Sequence, residues 1–174
     1  LPAKAGMLNA IGLANPGIER FMTDIAPRLA DAPTTVFGSI AGNSIEDYTH
    51  AARHMETLDA IPAIELNVSC PNVHGGTAFG GAPGALRELV AAVRTELRHT
   101  KLFVKLSPIA VGTPTIVDVA RSAIESGADG LSIANTVPAM AIDVRTRRPV
   151  LSNVTGGLSG LAVHPIAVRL VHLV

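Results

Sequence analysis

The sequence has few aromatic residues and only one cysteine. Aromatic residues make up 3% of its 174 residues, and tryptophan is absent. The core therefore has to be built from Ala, Val, Ile and Leu, which is typical of parallel sheets covered by helices. A single cysteine excludes an internal disulfide, which is consistent with a reducing compartment such as the cytoplasm.

Long apolar runs and an excess charge of either sign are also missing. Hydrophobic residues make up 48% of the chain, but none of their runs reaches the roughly 18 residues of a membrane span. The formal net charge is +0, and Lys and Arg form no stripe that would bind nucleic acid. Residues 1–6 lack the pattern of a signal peptide. We therefore expect a cytoplasmic protein that binds neither membrane nor nucleic acid.

Short apolar segments of strand type alternate with helical patterns. Ser44 and Asp47 have the spacing of a capping box, and Gly127 is placed to end a helix. Four successive strand–helix units predict a parallel sheet, either a βα barrel or an open doubly wound sheet. No Gly-x-Gly-x-x-Gly follows a strand, which argues against a dinucleotide-binding open sheet. Strands are predicted at 34–41, 63–69, 102–106 and 130–134, and helices at 44–58, 84–99, 115–126 and 162–174.

Polar residues recur where the predicted strands end. In a βα barrel these strand ends share one face, and that face carries the active site. We therefore expect one pocket to collect these side chains, although a single polar strand end is ordinary. They are Ser39, Asn67, Lys105, Asn135 and Thr136.

Cys70 lies in the stretch Glu-Leu-Asn-Val-Ser-Cys-Pro-Asn at 65–72. A lone cysteine is most often a small buried hydrophobic residue, and composition alone favours that role. Its position in a polar loop before Pro71 favours a reactive thiol instead. The glycine pairs at 75–76 and 80–81 would let this loop act as a lid.

Other motifs give weaker signals. Lys105 has apolar neighbours, so its ammonium either meets a partner within the site or extends to solvent. The glycine-rich loop 156–160 would present backbone N–H groups to a cofactor, whereas 9–17 is typical of a plain turn. The six histidines show no metal-ligand spacing, so no metal site is predicted. We interpret Arg145, Arg147 and Arg148 as a solvated hairpin.

Together these motifs resemble the class 1 dihydroorotate dehydrogenases, most closely the subgroup that passes electrons to NAD. The resemblance rests on 6–13, 65–73, 104–108, 127–131, 135–136 and 155–160. It implies a (β/α)8 TIM barrel that holds FMN and oxidises dihydroorotate to orotate in pyrimidine (UMP) biosynthesis. Because such barrels typically have about 250 residues, we expect 1–174 to be a single partial domain that lacks the N- and C-terminal strands.

The resemblance also implies a role for each matched residue. Cys70 would be the general base that removes the C5 proton while hydride passes from C6 to FMN. Ser39 stands where the family usually has Asn, so one flavin contact is expected to be weaker. The implied substrate ligands are Asn9, Ile11, Gly12, Leu13, Asn67, Asn72, Asn135 and Thr136, and the implied FMN ligands are Ser39, Asn67, Lys105, Ala134 and Gly160.

The subgroup further implies a homodimer with an electron-transfer subunit, in which FAD and an iron-sulfur cluster pass electrons to NAD. Two alternatives remain open. The related dihydropyrimidine dehydrogenases share Asn-x-Ser-Cys-Pro, but they usually have His where this chain has Asn72. The hairpin at 141–143 also fits the orotate enzymes better. The other alternative is a catalytically inactive fragment of the barrel that only binds a partner.

Overall fold

The computed structural model describes residues 2–3, 5–68, 79–108 and 112–174. Cys70 and Asn72, which carry two of the predicted roles, lie outside the described residues. The described strands are β1 (Pro2–Ala3), β2 (Gly6–Asn9), β3 (Phe37–Ile40), β4 (Ala63–Asn67), β5 (Lys101–Lys105), β6 (Gly130–Ser132), β7 (Val137–Ala139), β8 (Ile142–Asp143), β9 (Arg148–Pro149) and β10 (Gly156–Ser159).

The helices begin where the sequence supplies capping groups. Ser44 Oγ accepts a hydrogen bond from the Asp47 amide at 3.1 Å, and Asp47 Oδ2 accepts one from the Ser44 amide at 3.1 Å. This confirms the predicted capping box, and Thr115 with Asp118 forms a second one. Gly127 has φ 106° after the fourth helix, as predicted for a C′ residue. The helices are α1 (Ile18–Arg20), α2 (Ile45–Glu56), α3 (Pro83–Glu96), α4 (Ile116–Glu125) and α5 (His164–Leu173).

A parallel sheet in the order β3-β4-β5-β6 forms the centre of the fold. Its register aligns Ser39 with Glu65, and Glu65 with Phe103. It also aligns Asn67 with Lys105, and Lys105 with Ser132. Because alternate residues of a strand point to opposite faces, these residues share one face of the sheet. We call this the open face; its strand positions are Phe37, Ser39, Ala63, Glu65, Asn67, Lys101, Phe103, Lys105, Gly130 and Ser132.

The opposite face of the sheet is buried beneath α2, α3 and α4. Burial of a Val, Leu or Ile side chain contributes about 1.5–3 kcal/mol, so this layer is the main source of the fold's stability. Its residues on β3, β4 and β5 are buried, whereas most of the open face is only partly covered. Buried side chains of the layer include Ile64, Leu66, Leu102, Val104, Tyr48, Leu86, Leu89, Val90 and Val93.

The first three predicted strand–helix units are confirmed, with boundaries shifted by one to three residues. The fourth unit is different, because β7, β8, β9 and β10 intervene between β6 and α5. Of these strands, only the hairpin formed by β8 and β9 was predicted. The described residues form a parallel sheet with helices on one side, and no closed barrel is found among them.

A second sheet is antiparallel and has the order β1-β2-β10-β7. The prediction of a glycine-rich loop at 156–160 was wrong for most of its length, because Gly156–Ser159 is a strand paired with β2 and β7. The predicted arginine hairpin is confirmed. Ile142 pairs with Pro149 and Asp143 with Arg148, and Arg145, Arg147 and Arg148 are exposed.

Glu56, the last residue of α2, anchors the loop that leads into β5. Its Oε1 accepts hydrogen bonds from the amides of Arg98 and His99 at 2.8 Å, and its Oε2 accepts one from the Thr100 amide at 3.1 Å. Desolvation raises the pKa of Glu56, but hydrogen bonds from Thr100, His99 and Arg98 lower it by more, and the pKa is about 2. This carboxylate therefore joins α2 to the start of the central strand.

The segment between the turn predicted at 9–17 and β3 contains irregular helix, for which no prediction was made. α1 continues as a π-helical turn at Phe21–Ile25 and a 3₁₀ helix at Ala26–Asp31. Pro27, at the start of the 3₁₀ helix, has no N–H for a helical hydrogen bond. Within the described part of the chain, no helix is long and apolar enough to cross a membrane.

Candidate active site

The carboxyl-terminal edge of the parallel sheet collects polar side chains on the open face. Asn67 ends β4 and Lys105 ends β5, and the two are register partners. Ser39 lies on β3, one position before the strand ends, and its side chain is exposed. Three of the residues predicted to share a pocket therefore lie along one edge of one sheet.

Lys105 forms an ion pair with Glu65. Its Nζ lies 3.5 Å from Glu65 Oε1, and the two side chains are 30% and 22% exposed. Both residues are on the open face, and Glu65 is one register step nearer the amino-terminal end of the sheet. Lys105 therefore has a charged partner inside the fold instead of extending freely to solvent.

An aromatic layer lies beside this ion pair, toward the amino-terminal end of the sheet. The Phe37 and Phe103 rings are 5.9 Å apart between centroids, at an angle of 36°. Phe103 is the register partner of Glu65. The open face therefore carries aromatic rings next to Glu65, and an amide and an ammonium group side by side at its carboxyl-terminal edge.

Asn67 is held by contacts to both its backbone and its side chain. The Tyr48 hydroxyl donates to the Asn67 carbonyl at 2.8 Å, which fixes the end of β4 against α2. Asn135 Nδ2 donates to Asn67 Oδ1 over a long 3.4 Å. The Asn135 amide donates to the Leu106 carbonyl at 2.9 Å, which places Asn135 at the end of β5.

Asn135 and Thr136 connect this edge to the antiparallel sheet. The Thr136 amide donates to Asn135 Oδ1 at 2.8 Å. The Thr136 side chain lies directly over Gly157, at a position where a Cβ would overlap it. Asn9 Nδ2 donates to the Gly157 carbonyl at 3.4 Å. These contacts form a continuous path from Asn9 through Gly157 and Thr136 to Asn135 and Asn67.

Gly160 ends β10 where the chain passes close to the turn before β2. Its φ is 99°, a conformation that side chains rarely adopt, and a Cβ would lie 2.7 Å from the Cα of Gly6. Glycine is therefore required here by the backbone alone. Ala134 follows a cis peptide bond after Ile133 and is half-buried.

A cavity of about 630 Å³ opens beside β3, a size that is typical of small-molecule sites. Gly12 and Leu13 line one side, and Ser39 and Asn67 line the other. Ile11 is 78% exposed and is not part of this lining.

Three ionisable side chains, those of Glu19, Asp47 and His50, also line this cavity. Glu19 Oε1 and His50 Nε2 lie 3.1 Å apart. A backbone hydrogen bond at Glu19 and the hydrogen bond from His50 lower the pKa of Glu19, so its carboxylate stays ionised near neutral pH.

The structure distributes the predicted residues over two sheets and the segments that follow β2, β6 and β10. It joins Asn9, Asn67, Asn135 and Thr136 by contacts, whereas Lys105, Ala134 and Gly160 are not in the lining of the cavity. Gly80 was predicted to belong to a flexible lid, but it lies in a buried 3₁₀ turn (Phe79–Gly81) and donates to the Val68 carbonyl at 3.0 Å.

Sequence reasoning assigned no role to Glu65, although this residue pairs with Lys105. The sequence signal that could have pointed to Glu65 is the alternation of side chains along β4 and β5. Glu65 and Asn67 are two residues apart, as are Phe103 and Lys105, so each pair has to share a face of its strand. The register between the strands was needed to bring Glu65 and Lys105 together.

Comparison with known proteins identifies the family. The family model described as dihydroorotate dehydrogenase matches residues 1–174. The chain is 51% identical over 168 residues to the dihydroorotate dehydrogenase B (NAD(+)) catalytic subunit of Bacteroides thetaiotaomicron, and this match covers 96% of the chain and 54% of that protein. It is 49% identical over 167 residues to the protein of the same name from Phocaeicola vulgatus (95% and 54% covered) and 44% identical over 168 residues to that from Geobacillus sp. (96% and 52% covered).

The chain thus spans about half the length of the curated relatives it matches. The family model, by contrast, matches it from end to end. By this match and by these identities, the chain belongs to the dihydroorotate dehydrogenase family.

Proposed function

We propose that the protein containing this chain oxidises (S)-dihydroorotate to orotate, with FMN as cofactor, in pyrimidine (UMP) biosynthesis. The observation that carries the proposal is the path of contacts from Asn9 through Gly157 and Thr136 to Asn135 and Asn67. It joins four of the residues that the family resemblance implies as substrate ligands. Amide and hydroxyl groups of this kind offer both donors and acceptors to a pyrimidine ring.

The side chains at the sheet edge fit FMN. The Lys105 side chain is 30% exposed and therefore remains accessible to an anionic ring, while Asn67 and Ser39 add polar groups on the same face. Gly160 has no side chain, so a ligand can approach the backbone directly at this position. When bound, FMN supplies the two-electron acceptor for the hydride that leaves C6 of the substrate. The residues that would hold it are Ser39, Asn67, Lys105, Ala134 and Gly160.

Substrate would be oriented by the amides and the loop at the other side of the site. Asn9, Asn67, Asn135 and Thr136 would hold its ring and carboxylate, together with Asn72. The backbone of 11–13 would line it, and Gly12 and Leu13 already border the cavity. Cys70 would take the C5 proton as a thiolate, the reactive form of cysteine.

We further propose that the parallel sheet is part of a βα barrel in a cytoplasmic enzyme. The parallel order β3-β4-β5-β6 and polar groups at its carboxyl-terminal edge support this architecture. The family match and the half-length coverage of the relatives support a chain that supplies part of such a barrel.

The proposed enzyme is a homodimer that works with an electron-transfer subunit carrying FAD and an iron-sulfur cluster. The support is that the relatives are named as NAD(+)-linked catalytic subunits. Purification of the tagged full-length protein from its native host is expected to recover a second chain that contains FAD and an iron-sulfur cluster. Recovery of one chain, with no flavin other than FMN, would contradict this assignment.

Comparison of two substrates tests the reaction itself. The full-length protein is expected to reduce its flavin with dihydroorotate and to use dihydrouracil at least about 100-fold less well, since a site built to hydrogen-bond a missing group rejects the analogue strongly. The measurement is kcat/KM for each substrate with an artificial electron acceptor. Better use of dihydrouracil would favour the dihydropyrimidine dehydrogenase alternative.

A further inference from the structure

We propose that Glu65 lowers the midpoint potential of FMN by offsetting the positive charge of Lys105. The inference rests on the proposed function, since it requires FMN beside Lys105. It assigns a role to a side chain that neither binds the substrate ring nor exchanges a proton with it.

The geometry favours an effect through charge. The distance of 3.5 Å between Glu65 Oε1 and Lys105 Nζ is longer than the roughly 2.7–2.9 Å of a tight charge-assisted hydrogen bond. An ammonium has three donor hydrogens, so Lys105 can still donate to another acceptor while Glu65 stays close. The carboxylate therefore weakens the field of Lys105 without blocking its access to a ligand.

The surroundings of Glu65 keep its carboxylate near Lys105. Phe103 is the register partner of Glu65 and its ring packs on that of Phe37, so apolar rings that offer no hydrogen-bond donor lie on one side of the carboxylate. The register partners of Lys105 are Asn67 and Ser132, which carry no charge. Among the four parallel strands, Glu65 is the only carboxylate on the open face, so it alone offsets Lys105 there.

The sign of the effect follows from the charge of the reduced cofactor. Reduced FMN carries negative charge near its pyrimidine ring, which Lys105 attracts and Glu65 repels at short range. Glu65→Gln removes the repulsion and leaves the ammonium uncompensated. We expect reduced FMN to bind about tenfold more tightly relative to oxidised FMN, which corresponds to a midpoint potential about 30 mV higher for a two-electron couple.

The test measures FMN affinity and midpoint potential in the full-length protein. Oxidised FMN is titrated by fluorescence, and the potential is read by anaerobic equilibration with a reference dye. Glu65→Asp keeps the charge and is expected to stay near the wild-type potential. Glu88→Gln removes an exposed carboxylate on the outer surface of α3 and is the control for general charge loss, with no expected shift. Glu65→Met removes the charge with a side chain of similar length and repeats the measurement if the Gln variant does not fold.

Each outcome is decisive. A rise in potential for Glu65→Gln with no change for Glu65→Asp supports the inference. An unchanged potential overturns it, and so does a fall, because a fall would mean that Glu65 mainly holds Lys105 in place. Loss of FMN from the Gln variant alone overturns it for the same reason. A wild-type protein that binds no FMN overturns the proposed function as well, which separates the two failures.

Discussion

Replacing Cys70 with alanine in the full-length protein is expected to slow the reduction of FMN by dihydroorotate about 10²–10⁴-fold, the usual contribution of a positioned acid or base. Orotate affinity is expected to stay nearly unchanged, since the proposed ring ligands are amides and not the thiol. Stopped-flow absorbance of the flavin measures the rate, and an orotate titration of the oxidised protein measures the affinity.

The pH dependence gives this prediction a second readout. A free thiol has a pKa near roughly 8.5 and acts as a base only when ionised, so the rate in the wild-type protein is expected to rise with pH and then level off. Cys70→Ser is the matched control, because serine keeps the shape but ionises at much higher pH. A reduction rate that is unchanged in Cys70→Ala would remove Cys70 from the mechanism.

Replacing Glu56 with glutamine is expected to lower the free energy of unfolding by about 1–3 kcal/mol at pH 7, the range for hydrogen bonds that involve a charged group. The glutamine amide can offer only one acceptor oxygen to the three N–H groups of Arg98, His99 and Thr100. Its NH₂ group would face at least one of these donors. Urea unfolding of both proteins measures the difference.

Acid is expected to remove the stabilisation that the Glu56 carboxylate gives to the folded protein, over a defined range of pH. The pKa of this carboxyl is depressed in the folded protein to about 2 from the ordinary value of 4.5. Its stabilisation is therefore complete above about pH 4.5 and is lost as the pH falls toward 2. The difference between wild type and Glu56→Gln should shrink over that window and stay constant from pH 5 to 8. Glu88→Gln should show no such difference, and a gap that persists at pH 2 would contradict the prediction.

The sequence was informative wherever local chemistry decides the structure. The capping box of Ser44 and Asp47 and the glycine at 127 fixed the ends of helices, and both are found as predicted. Predicted strands were up to four residues too long, as at 34–41, mainly because Thr34, Thr35 and Val36 have side chains that suit a strand but lie outside the paired residues. Sequence patterns report burial, whereas strand ends depend on pairing.

The second sheet could not be predicted from its own residues. Gly156–Ser159 contains two adjacent glycines, which have low strand propensity and are typical of loops. The strand exists because β2 pairs with it, about 150 residues earlier in the chain. Glycine is needed at 157 because the Thr136 side chain occupies the space that a Cβ would fill. This contact between Thr136 and Gly157 is visible only in the tertiary structure.

Only part of the candidate site could be predicted, because pairings between strands are not visible in the sequence. Polar residues at strand ends were recognisable, but the partner of Lys105 depended on register between two strands. The resemblance supplied roles for single residues and gave none to Glu65. A pairwise interaction becomes visible only when the strands are aligned.

The alternation along β4 separates two kinds of evolutionary constraint within five consecutive residues. Ile64 and Leu66 are completely buried beneath the helices, while Glu65 and Asn67 point to the opposite side. Substitutions at Ile64 and Leu66 would act mainly on the stability of the fold, whereas substitutions at Glu65 and Asn67 would act on the charge and polarity of the open face. The open face can therefore change in character while the helix-covered layer keeps its packing.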